Sequence, residues 1–417
     1  MSEEVKVFSM VRWIERIRRI HWAWYILGAS FLTTLVSYGI RLGYGVILPE
    51  MVKSLGISRT EGGLTYSILF VTYTIFAPIV GNLTDRIGGR KIITIFCAIL
   101  SMGVLLMSTV NHLVTAVLFL AIAGIGISST WVPVAALTTK WFSADKRGFV
   151  LGVITSGAHL GYGSLGLVFP LVIAQYDWRF AWIILGISAL VVTVINGIVL
   201  RSKPQDLNLL PCGEKGKSSE PTFHIHSSYR TILNRKIFWQ IGISYFFISF
   251  CYYTFVSFLV TYGTTEVGVR YGIAASFASV LAFGNLVGSI PIATLSDSFG
   301  RNRTNFMSQL IITLSVLFLL IAQSNLWMIF ISIAVYGIFF GPIFPLYSAC
   351  ARDYFEAEVT GTVLGAWTFI YGMGGVLAPL FTGYLSDMTG TFRWSFALAG
   401  IASLIASVMF FWIRKQG

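Results

Sequence analysis

The chain has 417 residues, is 56% hydrophobic and 15% aromatic, and only 11% of it is charged. So little polar surface excludes a water-soluble globule of this size and places the chain in a bilayer. The net charge of +12 does not call for nucleic acid, because the cations cluster at the ends of apolar runs, where membrane topology accounts for them.

Each crossing needs about 20 mostly apolar residues, since every backbone N–H and C=O must find its partner within the segment. In chain order the sequence predicts spans at 22–49, 62–82, 92–110, 113–138, 148–174, 180–200, 237–263, 271–296, 305–322, 326–349, 360–384 and 394–413. The expected fold is all-α, with twelve transmembrane helices in two six-helix bundles related by pseudo-twofold symmetry. The expected organisation is an N-terminal segment at 1–21, a first bundle at 22–200, a linker at 201–236, a second bundle at 237–413 and a tail at 414–417. Pro204, Pro211 and Pro221, with Gly, Ser and Lys around them, mark the linker as a connection between bundles.

Basic residues set the orientation. Of 29 Lys and Arg, 23 flank one face, Lys53, Arg59, Arg179, Arg270 and Arg393 flank the other, and Arg41 lies within a span. Both termini and the linker are therefore expected in the cytoplasm, with anionic lipid headgroups as neighbours of the basic face. Residues 7–20, which carry Arg12, Arg16, Arg18 and Arg19 among apolar positions, suit an interfacial helix. No cleavable leader is expected, because the first apolar run continues as an intact span.

Along the first span, Arg41 is the one basic residue placed deep in an apolar segment. An arginine there costs about 2.5–3.5 kcal/mol on insertion scales, so it is expected to face a wet cavity or a partner. Its planar donor fork matches a carboxylate, which makes Arg41 the first candidate ligand for a small organic anion. Tyr38 lies one turn away.

After the second span comes Gly81-Asn-Leu-Thr-Asp-Arg-Ile-Gly-Gly-Arg-Lys91, which returns as Ala293-Thr-Leu-Ser-Asp-Ser-Phe-Gly-Arg-Asn-Arg303. Pro133 and Pro345, and Val150-Leu151-Gly152 and Val363-Leu364-Gly365, repeat at nearly the same offset. A duplicated six-span unit of this kind is the usual build of secondary transporters. Asp85, Arg86, Arg90, Asp297 and Arg301 are read as gating residues that latch one access state through charge pairs and helix ends.

Further along, His159 is the one histidine within a span and is the coupling candidate, since imidazole changes charge near neutral pH. No Asp or Glu lies deep in a span. Cys97, Cys212, Cys251 and Cys350 show no paired spacing, so neither a disulfide nor a metal site is expected. Tyr245, Tyr252, Tyr253, Tyr336, Tyr347 and Tyr371 supply rings in the second half.

The loop motif after span 2, twelve spans and a long central loop together resemble the major facilitator superfamily over almost the whole chain. Within it, Ser37-Tyr-Gly-Ile-Arg41, Gly45-Val-Ile-Leu-Pro49 and Lys140-Trp-Phe-Ser-Ala-Asp-Lys-Arg-Gly148 resemble the monocarboxylate and oxalate/formate porter group. That resemblance implies a pocket aromatic at Trp131, and at Ser289 and Trp367 it implies basic residues that this chain lacks. With Asn285 one turn before Ser289, the candidate substrate set is Arg41, Tyr38, Trp131, Asn285, Ser289, Tyr336, Trp367 and Tyr371.

The expected function is alternating-access transport of a small, monocarboxylate-like organic anion with a proton, by a monomer in a bacterial inner membrane. The alternative is an exporter of a neutral or amphipathic compound. No cofactor, metal or nucleic acid is expected, and neither is an enzyme, since no nucleotide loop or nucleophile triad is present.

Overall fold

The computed structural model describes residues 21–213, 232–322 and 325–413. Among these, twelve helices are long and apolar enough to cross a membrane. The molecule is an integral multi-pass membrane protein with the expected all-α fold of two six-helix bundles. The interfacial segment expected at 7–20, half of the linker (214–231) and the tail lie outside the described residues.

In the first half the helices are α1 (Trp22–Leu55), α2 (Arg59–Ile87), α3 (Gly89–Met107), α4 (Leu113–Thr139), α5 (Arg147–Gln175) and α6 (Trp178–Val199). In the second they are α7 (Lys236–Thr265), α8 (Tyr271–Phe299), α9 (Arg301–Ala322), α10 (Leu326–Tyr354), α11 (Ala357–Thr389) and α12 (Arg393–Phe411). Helix α1 outruns its apolar stretch, passing Pro49 to stop at Gly56 in the left-handed region, φ 63°. Helix α2 then starts with a reciprocal cap, Ser58 Oγ accepting from Glu61 N and Glu61 accepting from Ser58 N.

The repeated loop motif makes the same turn twice. Gly88 (φ 97°) joins α2 to α3 and Gly300 (φ 95°) joins α8 to α9, with no spacer between helices. A side chain at either position would be strained, which is why the motif needs glycine there.

Helices α4 and α10 are each broken at corresponding depths, at 128–131 and at 341–342. Pro133 opens the second piece of α4 and Pro342 precedes that of α10; neither ring can donate to the preceding turn, so the ladder lapses there. Within the first half α1 packs on α5 and α6, and α3 on α4 and α6. The second half repeats this scheme, with α7 on α11 and α12, and α9 on α10 and α12.

The halves meet through α1 with α7, α2 with α11, and α5 with α8. These contacts concentrate on the face away from the chain ends. There the Tyr271 hydroxyl donates to Val46 O (2.9 Å) and Ser279 Oγ to Gly163 O (2.6 Å). A Cβ at Gly45 would collide with the Val256 carbonyl, and one at Gly63 with the Pro379 carbonyl. Toward the other face the same helices part. Gly81 lies about five turns beyond Gly63 on the same face of α2, and Gly365 about five turns from Gly383 on α11. A Cβ at Gly81 or Gly365 would meet nothing within 4 Å, whereas one at Gly383 would strike Arg59. Among the described residues the two halves are closed on the distal face and separated on the face that carries the chain ends.

Candidate functional site

Arg41 sits on α1 where the distal closure begins, and its side chain points between the halves. It is 4% exposed. Its Nη2 donates to the Tyr253 hydroxyl on α7 at 3.0 Å, and its Nε is buried without a partner. Four rings surround the guanidinium: Tyr73 at 4.5 Å, Phe70 at 4.8 Å, Tyr38 at 5.6 Å and Tyr253 at 5.9 Å. No carboxylate among the described residues forms an ion pair with it.

The sequence builds this arrangement from helical spacing. Tyr66, Phe70 and Tyr73 recur at intervals of three and four on α2, so one face of that helix presents three rings to α1. The Tyr66 hydroxyl donates to the Arg41 carbonyl (2.5 Å), which holds α2 in register with α1 at the level of the cation. Phe70 stands edge-on to Tyr253 at 4.5 Å, so ring contacts continue across the gap between halves.

Cation–π contacts of this kind are each worth about 0.5–2 kcal/mol, so they offset part of the cost of holding the charge in the membrane. They leave most of its hydrogen-bonding capacity free, because a guanidinium carries five N–H donors and only one bond is made here. The site is positively charged, enclosed by rings and short of acceptors.

Tyr371 on α11 lies 5.8 Å from Tyr253 and 4.5 Å from Tyr245. Toward the open face, Tyr38 meets Trp131 at 6.2 Å, and Trp131 meets Phe344 of α10 edge-on at 5.5 Å and 87°. Trp131 stands at the break of α4 and Phe344 just past that of α10, so the two occupy nearly equivalent positions of the repeated halves. Exposure rises along this line, from buried Arg41 through half-buried Tyr38, Tyr371 and Trp131 to Phe344 at 41%.

The structure thus brings Arg41, Tyr38, Trp131 and Tyr371 together. Asn285 reaches the edge of the cluster, its Nδ2 donating to the Tyr252 hydroxyl at 3.3 Å while its buried Oδ1 has no partner. Three candidates stand apart. The Trp367 indole donates to Phe238 O (2.9 Å) and packs against Phe238 and Phe355, a packing role between α7 and α11. The Tyr336 hydroxyl meets Cys251 Sγ at 3.4 Å inside the second half. Ser289 Oγ returns to the carbonyl of Leu286 on its own helix (2.9 Å).

His159 is half-buried and forms no hydrogen bond or ion pair among the described residues. By helical phase it lies one turn from Gly163, on the side of α5 that meets α8. Asp85 and Arg86 are exposed and form no ion pair among the described residues, while Arg90 Nη2 turns to the α6 carbonyl of Gly197 at 2.6 Å. In the second half Arg301 bridges Asp297 (3.3 Å) and Asp353 (3.1 Å), tying α8, α9 and α10 together. Among the described residues no ion pair joins the second half to the first.

Three residues of the site and of the distal closure escape a reading of single residues. Phe70 and Tyr73 carry no distinguishing neighbour in sequence, and only their three-and-four spacing with Tyr66 signals a shared face. Asp387 reads as a charge at the end of a span, yet it caps α2 of the other half. Its carboxylate accepts from Arg59 N (3.2 Å), Thr60 N (2.7 Å) and Thr60 Oγ1 (2.5 Å).

A profile of the Major Facilitator Superfamily matches residues 30–307 and 264–417. The chain is 23% identical to the Hexuronate transporter of Bacillus subtilis (strain 168), covering 91% of each chain. It is 24% identical to Monocarboxylate transporter 12-B of Danio rerio, covering 94% of this chain and 86% of that one. In fold it is similar to a bacterial homologue of the human lysosomal transporter Spinster, solved in an inward-facing and occupied conformation. That likeness has a TM-score of 0.73 at 16% identity, over 94% of this chain and 97% of the other.

Proposed function

This chain belongs to the major facilitator superfamily, and from that premise we propose that it carries a small organic anion, monocarboxylate-like, across its membrane by alternating access. The observation that carries the reading is Arg41, a buried guanidinium between the halves that has rings around it and, among the described residues, no carboxylate paired with it. A carboxylate cargo would supply the missing acceptor and neutralise the charge. The cargoes named for these two of its relatives, hexuronate and monocarboxylate, are both carboxylic acids.

The basic face is assigned to the cytoplasm, in a bacterial inner membrane, so the state described here is inward-facing. Cargo reaches Arg41 past Trp131 and Phe344 from the inside, and from the outside once the distal contacts part. A monomer suffices, because one chain supplies both halves. The cargo anion is proposed to travel with a proton, His159 being the one spanning histidine and lying beside the α5–α8 contact.

The wall of rings suits an acid with an apolar or aromatic body, and it also favours the second reading, an uncharged aromatic cargo. Uptake into proteoliposomes under an imposed proton gradient separates the two. Accumulation of labelled lactate, galacturonate or an aromatic monocarboxylate supports the anion reading. Transport that uncharged aromatics inhibit and carboxylates do not would replace it with the second.

A further inference from the structure

A second group of cations lies on the outer flank of the first half, away from Arg41. Here a cleft of about 660 Å³ opens between the start of α3 and the end of α6. Arg90, Lys91 and Arg201 face it, with Asp206 as its single carboxylate. We propose that this cleft binds the phosphodiester headgroup of an anionic phospholipid in the leaflet on the chain-end side.

The polar groups have capacity left for such a ligand. Arg90 uses Nη2 on Gly197 O, and Arg201 uses Nη1 on Ile198 O and Leu200 O (2.8 Å each), which fixes both guanidinium groups at the rim. Lys91 is exposed and makes no hydrogen bond or ion pair among the described residues. Ser202 Oγ accepts from Arg90 N at 3.4 Å, which leaves its hydroxyl proton available. Asp206 accepts from Lys203 N (3.2 Å), and among the described residues its carboxylate forms no ion pair with these cations.

Helix α3 adds a second source of positive potential. It runs for 19 residues from Gly89, its N-cap Gly88 has no side chain to cap it, and among the described residues Ser202 Oγ, at 3.4 Å from Arg90 N, is the one side-chain acceptor at its first N–H groups. A helix start with one long side-chain contact, beside three cations, favours an anion with several acceptor oxygens. A basic pocket between spanning helices on the basic side of the membrane is the setting in which lipid headgroups are held.

The apolar border selects a lipid over a free phosphate. Ile87 (49% exposed) and Ile95 (53%) line the cleft itself, and Ile198 (65%), one turn before Arg201, lies outside it. Ile95 follows Lys91 by one turn on α3, so the headgroup contact and the acyl-chain contact lie on a single helix face. A soluble phosphate would leave these isoleucines bare; a diacyl chain covers them.

The test uses the full chain, purified from vesicles of phosphatidylcholine containing one-fifth phosphatidylglycerol, with retained lipid counted by native mass spectrometry. Wild type is expected to keep phosphatidylglycerol in preference to phosphatidylcholine, and Lys91→Gln to lower that preference about fivefold, the worth of one surface cation. The triple variant Arg90→Gln, Lys91→Gln, Arg201→Gln is expected to abolish it, with thermal unfolding run alongside to confirm folding. Lys91 has no hydrogen-bond or ion-pair partner among the described residues, so the single variant keeps the test decisive if the triple does not fold. Equal retention of both lipids by wild type, or unchanged preference in Lys91→Gln, would overturn the proposal. Displacement of the retained lipid by millimolar glycerol phosphate would overturn it too, in favour of a soluble phosphate site.

Discussion

Asp387, near the end of α11, accepts the first free N–H groups of α2 at Arg59 and Thr60, so the second half of the molecule caps a helix of the first. The contact is charge-assisted at the positive end of a helix dipole, and it lies on the face where the halves are closed. It is well placed to latch that closure.

Removing it is expected to favour distal opening. Asp387→Ala should shift the balance between states about tenfold, within the usual range of 1–3 kcal/mol for coupling between sites. Spin labels at Leu64→Cys and Met388→Cys, near the distal ends of α2 and α11, would report this as a longer population in the distance distribution. An unchanged distribution in Asp387→Ala would show that other contacts hold the face shut.

Tyr253 shares its hydroxyl oxygen with Arg41, and its own proton remains available to a bound acid. Tyr253→Phe removes both the fixing of the guanidinium and this donor while leaving the ring contacts in place. The expected result is a rise in KM of about tenfold, the scale of one hydrogen bond to a charged group, with the protein still folded. Uptake rates across a concentration series check it, and equal KM values would remove Tyr253 from the site.

The edge-on pair Trp131 and Phe344 joins the halves on the proposed route from the open face to Arg41. Such ring pairs are worth about 0.5–1.5 kcal/mol, enough to hold a gate and little enough to let it open. Trp131→Ala and Phe344→Ala should each speed release of preloaded cargo several-fold. The double variant should be no faster than either single, because each breaks the same contact. Additive effects would mean that the two rings act separately.

His159 is the proposed proton carrier. With a proton driving cargo inward, uptake by the wild type should rise as external pH falls, since more imidazole is protonated on the side of loading. His159→Gln should flatten that profile while retaining exchange of labelled for unlabelled cargo. A pH profile that keeps its slope in His159→Gln would place the proton on the cargo acid itself.

Much of this architecture is legible in the chain because bilayer physics leaves few options. Twelve apolar runs must become twelve helices, and the lone deep Arg41 must find polar or aromatic company. The sidedness of individual rings is less readable. Most of α7 is buried, so its apolar pattern does not say which of Tyr245, Tyr252 and Tyr253 faces α1. Counting along α11 fixes the height of Trp367 but not its direction, and the structure turns its indole toward Phe238. Asp387 illustrates the remaining gap, since its partners are more than 300 residues away and local spacing carries no trace of them. The breaks in α4 and α10 are foreshadowed by prolines, although the aromatic pair that meets there depends on how the halves dock.

The most direct measurement is equilibrium binding of a labelled monocarboxylate to purified protein, comparing wild type with Arg41→Gln and Arg41→Lys at matched thermal stability. Loss of the guanidinium in Arg41→Gln should weaken binding about 100-fold, and Arg41→Lys should recover part of it, keeping the charge without the planar fork. Binding of the same acid to Arg41→Gln with wild-type affinity would contradict the account.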